Sequence, residues 1–193
     1  MSQLLYKIIN NIPNVKNLSY LELGVCGGGT FTNVWCKKKI GVDNNKETPA
    51  THIMTTDEFF ESRKKKEKWD LVFVDADHSV TQVTKDFNNV IKHLNKPSVV
   101  FLHDLYPNSE NEAIYSCGDG YKILFFLKRM GYSGPYITLN EDFGLTAFFS
   151  PATPLELPEF FLTVKYEAFR KTDIVRYTLE EMMRAVKQHV EKK

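Results

Sequence analysis

Ser19-Tyr20-Leu21-Glu22-Leu23-Gly24-Val25-Cys26-Gly27-Gly28-Gly29-Thr30 opens the stretch that decides the fold, and Lys39-Ile40-Gly41-Val42-Asp43 closes it. An apolar run ends in a glycine-rich turn, and a short helix is expected next, with Phe31, Val34 and Trp35 on its inner face. A second apolar run then delivers a carboxylate about twenty residues on, the order in which an open parallel sheet holds a nucleoside. Glycines let the backbone approach the ligand, helix-terminal N–H groups face it, and the acid can accept from both ribose hydroxyls. The glycines fall as G-x-x-G-G-G; a dinucleotide turn wants G-x-G-x-x-G, which argues against a dehydrogenase.

Upstream, Leu4, Leu5, Ile8 and Ile9 predict a helix from Gln3 to Asn11, closed by Pro13. Downstream, a short run from Thr51 to Met54 leads into Thr55 and Glu58, a capping box that starts a helix. Leu71 to Val74 is continuously apolar, as in a strand covered on both faces, and Asp75-Ala76-Asp77-His78 follows it. Ser79 with Gln82 reads as another capping box, and Val80, Val83, Phe87, Val90, Ile91 and Leu94 carry a helix to about Leu94. The strand from Ser98 to Leu102 ends in His103-Asp104. Asn108 to Gly120 is a polar loop long enough to be a functional lid. Ile123, Leu124, Leu127 and Met130 build the next helix, which Gly131 stops, and Tyr136 to Leu139 with Leu145 to Phe149 form a terminal hairpin around Asn140-Glu141-Asp142-Phe143-Gly144. Strands alternating with helices predict right-handed crossovers and a parallel sheet.

A chain of 193 residues suits one domain with a sizeable core. Residues 1–150 read as the ligand-binding domain, and residues 151–193 as a helical extension packed on it or on a partner subunit, which would make a homodimer. In that extension Phe160, Phe161 and Val164 mark one amphipathic helix; Thr178 and Glu181 cap another, with Leu179, Met182, Met183, Val186 and Val190 inward. Twenty-five Lys and Arg balance 24 Asp and Glu, so no dedicated nucleic-acid partner is expected, and Arg63 to Lys68 reads as a solvated helix end interrupted by Glu67. Cys26, Cys36 and Cys117 match neither a disulfide framework nor a zinc site. With no long apolar run, no membrane association is expected, and the location is read as cytoplasmic.

Ligands in open α/β sheets sit outside the carboxyl ends of the strands. Glu22, Asp43, Asp57, Asp75, Asp77 and Asp104 cluster at five such ends. Carboxylates gathered at one edge repel each other, so sheet stability does not explain them. The stretch from Glu22 to Thr30, of the form E-x-G-V-x-x-G-x-[ST], resembles motif I of class I (Rossmann-like) S-adenosylmethionine-dependent methyltransferases. Asp75-Ala76-Asp77-His78, His103-Asp104, Met54 to Phe60 and Gly118-Asp119-Gly120-Tyr121-Lys122 are similar to small O-methyltransferases and sugar-modifying methyltransferases, and the resemblance spans about Ser19 to Ser150. It implies a three-layer α/β fold with a seven-stranded, mostly parallel sheet and a terminal antiparallel hairpin, with C-terminal helices added. It further implies S-adenosylmethionine held by Glu22, Gly24, Gly28, Thr30, Asp43, Thr56, Asp57 and Asp75, and a small-molecule or sugar hydroxyl as methyl acceptor. His103 or His78 would remove the proton, with Asp104 and Asp75 as orienting acids. Metal-dependent relatives hold Mg²⁺ with acids at the positions of Asp75 and Asp104 and an asparagine where this chain has Leu105, so Asp77 or water would have to complete the shell. Two other readings stand beside this one: a glycosyltransferase holding a metal and a nucleotide sugar on Asp75-Ala76-Asp77, and a methyltransferase-like domain that binds without turnover.

Overall fold

The computed structural model describes Ser2, residues 4–63 and residues 67–192; Gln3 of the first predicted helix and Lys64, Lys65 and Lys66 of the 63–68 run fall outside them. In chain order the elements are α1 (Leu5–Asn10), β1 (Ser19–Leu23), β2 (Lys38–Asp43), β3 (His52–Ile53), α2 (Thr56–Ser62), β4 (Trp69–Val74), α3 (Val80–Val90), β5 (Leu94–Leu102), α4 (Glu110–Tyr115), α5 (Tyr121–Met130), β6 (Tyr136–Leu139), β7 (Thr146–Phe149), α6 (Glu159–Leu162), α7 (Tyr166–Arg170), β8 (Arg176–Tyr177) and α8 (Leu179–Val190). The strands form one sheet in the order β3-β2-β1-β4-β5-β7-β6-β8. The first five run parallel, whereas β7 lies antiparallel to both β5 and β6. The expected parallel sheet with a terminal hairpin is therefore present.

Successive residues of a strand face opposite sides, and β4 divides its apolar run accordingly. Val72 and Val74 join a core with Phe59 of α2, Phe87 of α3 and Leu124 of α5, while Leu71 and Phe73 join one with Ile8 of α1 and Met182 and Val186 of α8. Burying Met182 and Val186 stabilises the α8 contact by about 1.5–3 kcal/mol for each side chain. Capping boxes at Thr55/Glu58 and Thr178/Glu181 start α2 and α8, and left-handed Gly131 ends α5.

The structure corrects several expectations. Residues 24–37 form turns and no helix, with Phe31 and Val34 buried but Trp35 59% exposed. Gly27-Gly28-Gly29 at the start, followed by β-branched Thr30, Thr32 and Val34, is poor helix-forming sequence. The nucleoside reading therefore loses the helix terminus it invoked at this loop. An eighth strand, β8, adds to the expected seven by pairing in parallel with β6, and it separates two short helices from α8. Helix α3 stops at Val90, and β5 begins at Leu94. The loop after Pro107 carries α4, capped by Ser109. At Ser79 only half the box forms: its side chain accepts from the Gln82 backbone N–H, while the Gln82 side chain turns elsewhere. No helix among the described residues is long and apolar enough to cross a membrane.

Candidate active site

The ends of β1, β2, β3 and β4 enclose a cleft of about 380 Å³, lined by Gly24, Cys26, Val42, Asp43, Asn44, Met54, Thr55, Thr56, Asp57, Asp75, Ala76, Asp77 and Gln82. Five of the predicted cofactor residues, Gly24, Asp43, Thr56, Asp57 and Asp75, meet here. Asp43 shapes the glycine loop itself: Oδ2 accepts the backbone N–H groups of Val25 and Cys26 at 2.9 and 2.8 Å, and Oδ1 accepts that of Asn45 at 2.8 Å. At the other end Gln82 Nε2 donates to Thr56 Oγ1 (3.2 Å), Asp57 Oδ1 (3.3 Å) and Asp86 Oδ1 (3.1 Å), and Lys85 pairs with Asp57 at 2.5 Å. The hydrogen bond from Lys85 keeps the Asp57 carboxyl below its usual range.

Beside the cleft lies a cluster of acids and imidazoles. His103 Nδ1 is 3.2 Å from Asp75 Oδ1 and 3.1 Å from Asp104 Oδ1, and its Nε2 is 3.4 Å from Asp142 Oδ1. Ser2 Oγ donates to the other oxygen of Asp142. His78 stands nearer the surface, its side chain 37% exposed, with Nε2 3.6 Å from Asp75 Oδ1. Its Nδ1 lies 2.8 Å from the Ser116 carbonyl oxygen and 3.4 Å from Asp104 Oδ2. The segment Gly118 to Lys122 buttresses it: the Asp119 N–H donates to the His78 carbonyl at 3.1 Å, Asp119 Oδ1 accepts from Val80 N–H, and Lys122 holds Asp119 at 2.7 Å.

Charge follows from these contacts. Burial resists ionisation of Asp75, but the hydrogen bond from His103 and the nearby His78 imidazole outweigh it and hold the carboxyl well below its usual range. Burial likewise disfavours a charged His103, yet the carboxylates of Asp104, Asp142 and Asp75 around it raise it well above the ordinary histidine value. The Asp75 carboxylate beside it raises His78 too. Asp104, Asp142 and Phe143 all have positive φ, at 60°, 54° and 50°. Such backbone concentrates where surrounding contacts over-determine it, as around His103.

Other predicted site residues lie elsewhere. Thr30 is fully buried, and its Oγ1 donates to the Ser2 carbonyl at 2.9 Å, so it faces the N-terminal segment and not a cofactor. Glu22 is 1% exposed and accepts from the Tyr20 hydroxyl at 2.5 Å; burial pushes its carboxyl up to about 8, and it supports the loop from beneath the cleft. Gly28 lies outside the cleft lining, against Pro49. His103, expected as a base, has a side chain 1% exposed and is ringed by carboxylates, so no acceptor hydroxyl reaches it; His78 is the accessible imidazole. Sequence reasoning missed Asp142 and the inward turn of Gln82. Polar residues are ordinary in a hairpin turn and Gln82 had a capping explanation, so neither carried a distinguishing signal.

The Mg²⁺ ion that metal-dependent relatives use fits these residues poorly. A hard cation wants several oxygen ligands. Here Leu105, fully buried, replaces the amide, Asp75 and Asp104 both direct an oxygen at His103, and the third donor grouped with them within 4.8 Å is the His78 imidazole. Asp77 is not among the donors gathered within 4.8 Å, and its Oδ1 accepts from the Ser79 N–H at 2.7 Å.

A mostly parallel sheet covered by helices on both faces, with a glycine loop and acids at or just beyond the ends of β2, β3 and β4 around one cleft, is similar to the fold of class I S-adenosylmethionine-dependent methyltransferases. More particularly, residues 31–105 match the family model described as a methyltransferase domain. No curated protein matches the chain. Among solved structures it is similar in fold to the O-methyltransferase TomG from Streptomyces achromogenes, involved in tomaymycin synthesis and solved with SAM, at 14% identity over 76% of this chain and 77% of that one, TM-score 0.52. It is also similar to the O-methyltransferase from Bacillus cereus solved with SAH (14% identity, 76% and 78% coverage, TM-score 0.50) and to the spermidine synthase from Thermotoga maritima (13% identity, 96% and 70% coverage, TM-score 0.52). In fold the chain is similar to Rossmann-like methyltransferases, and the segment from 31 to 105 matches the methyltransferase-domain model.

Proposed function

We propose that this chain transfers a methyl group from S-adenosylmethionine to a hydroxyl of a small molecule or sugar. The observation that carries this reading is the double membership of Asp75, which lines the cleft and also touches His78 at 3.6 Å. A cofactor in the cleft would have its ribose beside Asp43 and its purine beside Thr56 and Asp57. Its sulfonium would lie toward Asp75 and Asp77, whose negative charge suits a cation.

Methyl transfer needs the acceptor oxygen, the methyl carbon and the sulfur held in line. As the C–O bond forms, the S–C bond breaks, its electron pair returns to sulfur, and the acceptor gives up its proton. We assign that proton to His78 Nε2, because His78 Nδ1 is committed to Ser116 and the ring is open to an incoming hydroxyl.

Titration calorimetry with S-adenosylhomocysteine tests the proposal. Micromolar binding is expected, weakened at least about tenfold in Asp43→Ala. No binding by the unaltered chain would sink the reading. Binding without turnover across an acceptor screen would leave a methyltransferase-like binding domain in its place.

A further inference from the structure

Asp75 and Asp104 are the two acids that would face one divalent ion, and the group standing between them is His103. Its Nδ1 reaches one oxygen of each, at 3.2 and 3.1 Å, and the side chain is 1% exposed. Phe73 and Phe143 meet the ring edge-on at 5.9 and 6.5 Å. Behind it Asp142 Oδ1 lies 3.4 Å from Nε2, and Ser2 holds the second Asp142 oxygen. Two carboxylates brought together in a buried place require a positive end between them, from a metal or from an N–H donor. Here the donor is built into the chain, and the amide oxygen that would recruit the metal is replaced by the buried apolar side chain of Leu105.

We propose that His103 stands in for the metal ion: its imidazole ties Asp75 to Asp104, Asp142 steadies it from behind, and the reaction proceeds without a divalent cation. His103 is then a positioning residue. It fixes the Asp75 carboxylate, which in turn orients His78. The statement about the reaction rests on the methyltransferase reading; the statement about metal binding does not.

The test is calorimetric titration of the chelator-treated chain with MnCl₂, MgCl₂ and S-adenosylhomocysteine in separate runs. The unaltered chain is expected to bind neither ion up to millimolar concentration. His103→Ala, and His103→Asn as a second variant, remove the bridging ring and are expected to gain a Mn²⁺ site at least about tenfold tighter than any binding by the unaltered chain. Adding Asp104→Asn should abolish that gain. Circular dichroism establishes that each variant is folded, and if neither folds the titration of the unaltered chain decides. Mn²⁺ or Mg²⁺ binding by the unaltered chain that Asp104→Asn removes overturns the proposal. So do folded His103 variants that acquire no Mn²⁺ site. If the metal results hold while S-adenosylhomocysteine does not bind, the methyltransferase reading fails and the metal inference survives.

Discussion

The Cβ that Gly24 lacks would stand 2.1 Å from the carbonyl oxygen of Asp75. At φ +85° the glycine lets the end of β1 pass directly against the end of β4, so one close approach sets both the loop lining the cleft and the acid that joins the cleft to His78. The obstacle is backbone, which cannot rotate aside. Gly24→Ala is therefore expected to cost about 2–4 kcal/mol of stability and to weaken S-adenosylhomocysteine binding at least about tenfold. Thermal denaturation and calorimetry read the two effects, and an unchanged melting temperature with unchanged affinity would show that the close approach sets neither.

His78→Ala should leave cofactor affinity intact while lowering kcat by about a hundredfold to ten-thousandfold, the usual worth of a positioned base. Because only the neutral ring accepts a proton, kcat should rise with pH through the His78 pKa and level off above it. The Asp75 carboxylate places that midpoint above the ordinary histidine value, and Asp75→Asn should move it toward lower pH. A flat pH–rate profile would remove the base assignment.

Gln82 spans Thr56, Asp57 and Asp86 with one amide nitrogen. Gln82→Ala should loosen the purine end of the cleft, raising the dissociation constant for S-adenosylhomocysteine several-fold with little change in kcat, since the proton-accepting group lies at the other end. A fall in kcat with an unchanged dissociation constant would place Gln82 in a different role.

Asp86 is fully buried, and burial pushes its carboxyl up to about 6 from 3.8. The folded state therefore holds this proton more tightly than the unfolded chain does. Its contribution to stability is fully present below about pH 4, falls as pH rises, and is lost above about pH 6. Each tenfold gain in proton affinity is worth about 1.4 kcal/mol, so the loss is about 2–3 kcal/mol. Asp86→Asn, which does not ionise, should gain on the unaltered chain by that amount between pH 4 and pH 7 in denaturant unfolding. A constant difference across the range would show that Asp86 does not titrate there.

Much of the site was legible because strand ends are legible. The apolar runs before Asp43 and Asp75 announce strands, the second buried on both faces, and acids following such parallel strands gather at one edge of the sheet. The helix after the glycines was misread because Phe31 and Val34 satisfy a helical spacing that an inward-tucked turn satisfies equally well. Thr30 shows a related limit: a motif position names a residue but not the direction of its side chain, and here the hydroxyl turns toward Ser2.

By itself the sequence determined the layered α/β order and the set of acids at the strand ends, because periodicity and turn chemistry act over a few neighbouring residues. It could not separate His78 from His103, two imidazoles each beside an aspartate at the end of a strand. Only the tertiary structure does so, by bringing Asp75 from β4, Asp104 from the end of β5 and Asp142 from the β6–β7 turn around the buried ring of His103 while leaving His78 at the surface. Burial and charge at one point are sums over groups far apart in the chain, and no local pattern carries that sum.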